Sequence, residues 1–105
     1  MGRVDRKVVD DVKKLIAKLE QKNIHIDKAY IFGSYSNGKQ KKHSDIDVAL
    51  ISKSFQGTRF LDNKMIIDST SGVNPLIETH PFRPEDFIAD NPFVDEISRN
   101  GVEIH

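Results

Sequence analysis

Two aspartates one residue apart, Asp45 and Asp47, stand between a serine and an apolar run in Ser44-Asp45-Ile46-Asp47-Val48-Ala49-Leu50-Ile51. Alternate residues of a strand share a face, roughly 6.5 to 7 Å apart along it. The spacing therefore predicts two carboxylates side by side, with Ile46 turned into the core. Ionised carboxylates that close repel unless a cation lies between them, and a divalent metal is the simplest reason for the pattern. Upstream, the apolar Tyr30-Ile31-Phe32 ends in Gly33-Ser34. A glycine lets the backbone come close to a ligand and a serine can cap a following helix, and such a corner offers N–H groups and a positive dipole end to an anion. Gly38 permits a second tight turn before the basic loop Lys39-Gln40-Lys41-Lys42-His43. An anion site followed by a metal site is what a nucleoside triphosphate with Mg²⁺ requires.

Gly33-Ser34-x-x-x-Gly38 followed by Ser44-Asp45-Ile46-Asp47-Val48 resembles the signature of the nucleotidyltransferase superfamily, which includes DNA polymerase beta and antibiotic nucleotidyltransferases. The short chain is similar in particular to the minimal nucleotidyltransferases, or MNT domains, of prokaryotes. The resemblance implies a polymerase beta-like α/β fold, a small mixed sheet with helices mainly on one face. It implies that Gly33 and Ser34 hold the β and γ phosphates of ATP, and that Asp45, Asp47 and a third carboxylate bind two Mg²⁺ ions. The family places that third carboxylate on the strand after the intervening helix. Glu78 in Leu76-Ile77-Glu78-Thr79-His80 fits the position, where aspartate is more usual, and would complete the metal site or take the acceptor's proton; Asn74 is a neutral alternative. Asn37 stands before Gly38, where the family often carries a basic residue. The implied reaction moves AMP from ATP to a hydroxyl with release of pyrophosphate. Minimal domains of this kind often accompany a small all-helical HEPN protein, so the expected partner is such a protein and the expected setting a toxin–antitoxin pair.

Composition bounds these expectations. The 105 residues predict a single domain over 1–105 with one modest core and no room for a separate acceptor-binding domain. Lys plus Arg and Asp plus Glu are both 16, so no net field steers the chain to a polynucleotide, and nucleic acid is disfavoured as substrate. With no cysteine, no apolar stretch of membrane-spanning length and no leader-like N-terminus, the expectation is a soluble cytoplasmic protein.

The elements that must position these residues follow from periodicity. Val8, Val9, Val12, Leu15, Ile16 and Leu19 predict an amphipathic helix over Asp5 to Lys22, ended by Asn23, with its charged residues as a solvated face. Lys28 to Phe32 reads as a first strand and Asp47 to Ser52 as a second. Arg59 to Asp68 is loosely helical, and Val73 to Thr79 reads as a third strand, with Pro75 placing it at an edge or marking its start. His80-Pro81-Phe82-Arg83-Pro84 reads as a stiff connector, Asn91-Pro92 as the start of a last helix stopped at Asn100-Gly101, and Val102 to Ile104 as a short edge strand. The lysines of the 39–43 loop read as a solvated run, with the functional reading that one of them touches the triphosphate or the acceptor. His43 reads as a loop residue, since Mg²⁺ prefers oxygen donors. Phe82, Phe87 and Phe93 read as core, with one of them available to a subunit or partner, which leaves a homo-oligomer open. Two other functions stay open beside protein modification. One is a non-catalytic module that binds and masks its partner; the other is nucleotidyl transfer to a small molecule such as an antibiotic.

Overall fold

Val8, Val12, Leu15, Ile16 and Leu19 recur at helical spacing, and the computed structural model buries all five on one side of α1, Arg6–Gln21. The structure describes residues 6–33, 45–88 and 91–105. The end of α1 explains the role of Asn23. Its φ of 65° is the left-handed value that closes a helix, and it lets Asn23 N–H reach Glu20 O at 3.0 Å and Ile24 N–H reach Leu19 O at 2.9 Å. Leu19 and Ile24 then pack together in the same core.

From that turn the chain enters β1, Lys28–Phe32, and after the undescribed segment β2, Ile46–Ile51. The two run antiparallel, with Phe32 opposite Asp47 and Lys28 opposite Ile51. Next comes α2, Arg59–Ser71, which returns the chain so that β3, Ile77–Phe82, lies parallel to β2. A 3-10 turn at Pro84–Asp86 leads to α3, Pro92–Asn100, and to β4, Val102–Glu103, antiparallel to β1. The sheet order is β3-β2-β1-β4, one mixed sheet with β3 and β4 at its edges.

The pleat divides this sheet cleanly. Ala29, Ile31, Ile46, Val48, Leu50 and Ile77 face the main core, which also holds the apolar side of α1 and Ile66 of α2. Phe32, Ala49 and Ile51 face the other way, onto Ile97 of α3, with Tyr30, Phe82 and Phe87 around them. Helices α1 and α2 thus cover one face and α3 part of the other. Among the described residues no helix is long and apolar enough to cross a membrane.

Two buried carboxylates tie loops to helices. Asp62, in the first turn of α2, accepts N–H bonds from Gln56 at 2.8 Å and Gly57 at 2.9 Å, which holds the preceding loop against the helix. Asp11 of α1 accepts from Lys7 at 3.1 Å and from Asn74 Nδ2 at 3.0 Å. Burial pushes the Asp11 carboxyl up, but the hydrogen bonds from Lys7 and Asn74 and the positive charge of Lys7 and Lys14 outweigh it and hold the group below the usual aspartate range.

Asn74 also accepts the N–H of Leu76 at 2.9 Å, folding residues 74–76 into a side-chain turn. That turn corrects the third strand expected over Val73 to Thr79. The strand begins only at Ile77 and continues through His80, Pro81 and Phe82, which had read as a connector. Proline is accepted here because β3 is an edge. Ile46 N–H bonds Leu76 O at 2.8 Å and Ser52 N–H bonds Phe82 O at 3.0 Å, so the even-numbered residues of β3 face β2. Residue 81 turns its nitrogen outward, where no ladder bond is lost.

Candidate active site

Asp47 is the one charged residue on the face of β2 that otherwise carries Ala49 and Ile51. It lies at the sheet end where β1 stops and β3 starts, and three neighbours surround its carboxylate. Glu78 is its register partner on β3. His80, two residues on and on the same face, brings Nε2 to 3.2 Å from Asp47 Oδ1. Gly33, just past the end of β1, lies on the opposite side, where a Cβ would stand 2.5 Å from Asp47 Oδ2.

Each neighbour is held by the fold. Gly33 has φ +76°, a conformation that glycine adopts without strain, and a Cβ at this position would force the Asp47 carboxylate to shift. His80 is 6% exposed and meets Phe32 edge to face, with ring centroids 5.0 Å apart at 61°. Glu78 is exposed and also borders a groove between α2 and the β3 edge, lined by Asn63, Ile67, Thr70, Ile77 and Thr79. Thr79 Oγ1 and Asn63 Oδ1, 2.6 Å apart, join strand and helix along that groove. Beyond β3, Arg83 makes two bonds to Asp86, at 2.6 and 3.0 Å, and this pairing lifts the arginine and lowers the aspartate relative to their ordinary values.

Asp47, Glu78 and His80 each present a ligand atom, and these atoms lie within 4.8 Å of one another. Among the described residues this is the group of acidic and imidazole donors with that closeness. Two carboxylates opposite each other on neighbouring strands repel, so the donor set fits a divalent cation. Asp45 is exposed and precedes the first residue of β2; it is not a member of the group. Ser34, Gly38 and the loop Lys39 to His43 lie outside the described residues. Asn74 is bound to Asp11 and Leu76 and takes no part. His80 is the residue that sequence reasoning passed over. Glu78-x-His80 has the same alternate spacing as Asp45-x-Asp47, and Pro81 concealed it by suggesting a break in the strand.

Residues 13–105 match the family model described as polymerase beta, nucleotidyltransferase. The chain belongs to this nucleotidyltransferase family. No curated protein matches it at a significant level. Solved structures share its fold. A toxin–antitoxin structure with AMP-PNP aligns at a TM-score of 0.64 and 18% identity, over 92% of this chain and 72% of the other. A toxin–antitoxin MntA-HpeT mutant aligns at 0.61 and 16% identity, over the same shares of 92% and 72%. A nucleotidyltransferase structure from Sulfolobus solfataricus, described there as putative, aligns at 0.56 and 18% identity, over 98% of this chain and 89% of the other. In this nucleotidyltransferase the Gly33 corner, Asp47 and Glu78 stand together at one end of the sheet.

Proposed function

We propose that this nucleotidyltransferase transfers AMP from ATP to a hydroxyl of a helical protein partner of the HEPN type, and that it acts in the cytoplasm as the antitoxin of a toxin–antitoxin pair. The observation that carries the reading is the register of Asp47 against Glu78 with Gly33 packed under Asp47, since it gathers two carboxylates and the phosphate-side corner at one sheet end.

In this reading Asp45, Asp47 and Glu78 hold two Mg²⁺ ions, which would stabilise the attacking and leaving oxygens when bound. The chain's own part is to position. Gly33 and Ser34 would hold the β and γ phosphates at the corner after β1. Glu78, exposed at the edge, completes the metal site or accepts the proton of the incoming hydroxyl. Orientation of the two reactants supplies much of the rate, because phosphoryl and nucleotidyl transfer leave little covalent work to side chains.

A protein acceptor is favoured by α2. Phe60 is 75% exposed and Ile67 58% exposed, seven residues apart on one helical stripe, and Ile67 lines the groove that ends at Glu78. A protein docked along this stripe would bring its hydroxyl to the site. The neighbours solved as toxin–antitoxin structures, one with AMP-PNP, support both the partner and the nucleotide.

Intact-mass spectrometry of the protein encoded by the neighbouring gene, co-expressed with this chain, tests the proposal. Each AMP adds a fixed mass, which Asp45→Asn should fail to deliver. An unmodified neighbour held in a tight complex would overturn transfer in favour of a masking module.

A further inference from the structure

The carboxylates of this site account for a hard, oxygen-binding cation, and His80 places a nitrogen donor beside them, hydrogen-bonded to Asp47. Its ring is buried against Phe32, its Nε2 is aimed at Asp47 Oδ1 across 3.2 Å, and Glu78, two residues earlier on the same face, offers its oxygen to the same spot. We propose that His80 is a direct ligand of the cation held by Asp47 and Glu78, and that this mixed nitrogen and oxygen set makes the position favour Mn²⁺ over Mg²⁺. The inference rests on the reading of Asp47 and Glu78 as metal ligands.

Geometry supports direct ligation. Adjacent ligands of an octahedral cation with bonds near 2.1 Å stand roughly 3 Å apart, and the Nε2 to Oδ1 separation of 3.2 Å already has that size. Without a cation, Nε2–H donates to Asp47 Oδ1; with the ring proton on Nδ1 instead, Nε2 would present its lone pair to the space it shares with both carboxylates. No rotation of the buried ring is needed. Mg²⁺ retains water and prefers oxygen, whereas imidazole suits the transition cations, so each nitrogen donor shifts preference toward them. A nucleotide can still bring its own Mg²⁺ on the phosphates. The selective position is the one that the protein builds from β2 and β3.

Pulsed electron paramagnetic resonance of Mn²⁺ added to the nucleotide-free protein is the deciding experiment. The expected spectrum shows modulation from a coordinated imidazole nitrogen, and His80→Gln abolishes it. Calorimetric titration should then find Mn²⁺ binding weakened by at least about 10-fold in His80→Gln, with Mg²⁺ binding changed far less. Bound Mn²⁺ without nitrogen modulation in the wild-type protein, nitrogen modulation that persists in His80→Gln, or no Mn²⁺ binding at millimolar concentration would each overturn the proposal. The wild-type spectrum decides even if the variant fails to fold. AMP transfer accompanied by an all-oxygen Mn²⁺ spectrum would remove the inference and leave the transferase reading intact. Nitrogen-coordinated Mn²⁺ without transfer would do the reverse.

Discussion

Gly33 passes so close beneath Asp47 that a single added carbon on residue 33 would stand 2.5 Å from the Oδ2 of Asp47. The end of β1 therefore sets where the carboxylate of β2 can lie. Gly33→Ala should lower stability by about 1–3 kcal/mol, since residue 33 has φ +76° and the new methyl must also displace Asp47. Nucleotidyl transfer should fall by about 10²-fold or more, because the displaced group is a proposed metal ligand. Thermal melting and a transfer assay measure the two effects separately, and wild-type activity in a correctly folded Gly33→Ala protein would refute the link.

Asp45→Asn and Asp47→Asn should each abolish metal-dependent transfer while leaving far-ultraviolet circular dichroism unchanged. Each substitution removes a charge with little change of shape. The structure separates the two positions, however, since Asp47 lies within the group formed with Glu78 and His80 and Asp45 precedes β2 at the surface. Metal titration without nucleotide should accordingly be weakened more by Asp47→Asn than by Asp45→Asn, and equal affinities would contradict that arrangement.

Glu78→Gln should reduce transfer by roughly 10²-fold, the usual scale for loss of one preorganised electrostatic group at a reacting centre. Glu78→Asp, which keeps the charge on a shorter arm, should recover part of it. If both variants are as active as the parent, the third carboxylate lies elsewhere.

The bond between Asp11 and Asn74 joins α1 to the turn that launches β3, so its loss should be felt in stability first. Asn74→Ala leaves the buried Asp11 carboxylate with one partner fewer and frees Leu76 N–H, and should cost about 1–3 kcal/mol by denaturant melts. Acid should act on the same contact. The Asp11 carboxyl is held below its ordinary value of 3.8, so its stabilising contribution is present above that pH and is lost as pH falls through the lower folded-state value. Asn74→Ala should therefore flatten the decline of stability below pH 3.8, and an unaltered acid limb would show that the bond is not responsible.

Phe60→Glu should change stability by no more than about 0.5 kcal/mol, because the ring is 75% exposed. The same change should weaken a complex with the partner protein and slow its modification. Size-exclusion chromatography of the co-expressed pair reads the first effect and intact mass the second. A fully stable complex would move the partner to another face.

Much of this was legible because period-2 and period-3.6 patterns each leave a direct trace. α1, β1 and β2 lie within a residue of their expected bounds, and Gly33, Asp47 and Glu78 were named from spacing and from family resemblance. The displaced element is β3. Its start was hidden because an asparagine side chain, not the backbone pattern, stops pairing at residue 74, and its end because proline reads as a break unless the strand is known to be an edge. That one shift removed His80 from view, since a side chain assigned to a connector has no face to share with Glu78. The long-range approach of His80 to Asp47, across parallel strands, has no local signal at all.

Pro81 has a further effect on how the molecule behaves among its own copies. An edge strand is an invitation for another chain to add itself, because its outer row of donors and acceptors is open. On β3 the outward donors belong to residues 77, 79 and 81. Ile77 spends its N–H on Asn74 O at 3.1 Å, and Pro81 has none. An incoming strand would find one backbone donor, that of Thr79, along the whole edge. The proline that disguises the strand in the sequence thus guards it against filament growth, so Pro81→Ala should raise aggregation at high concentration more than it changes the melting temperature.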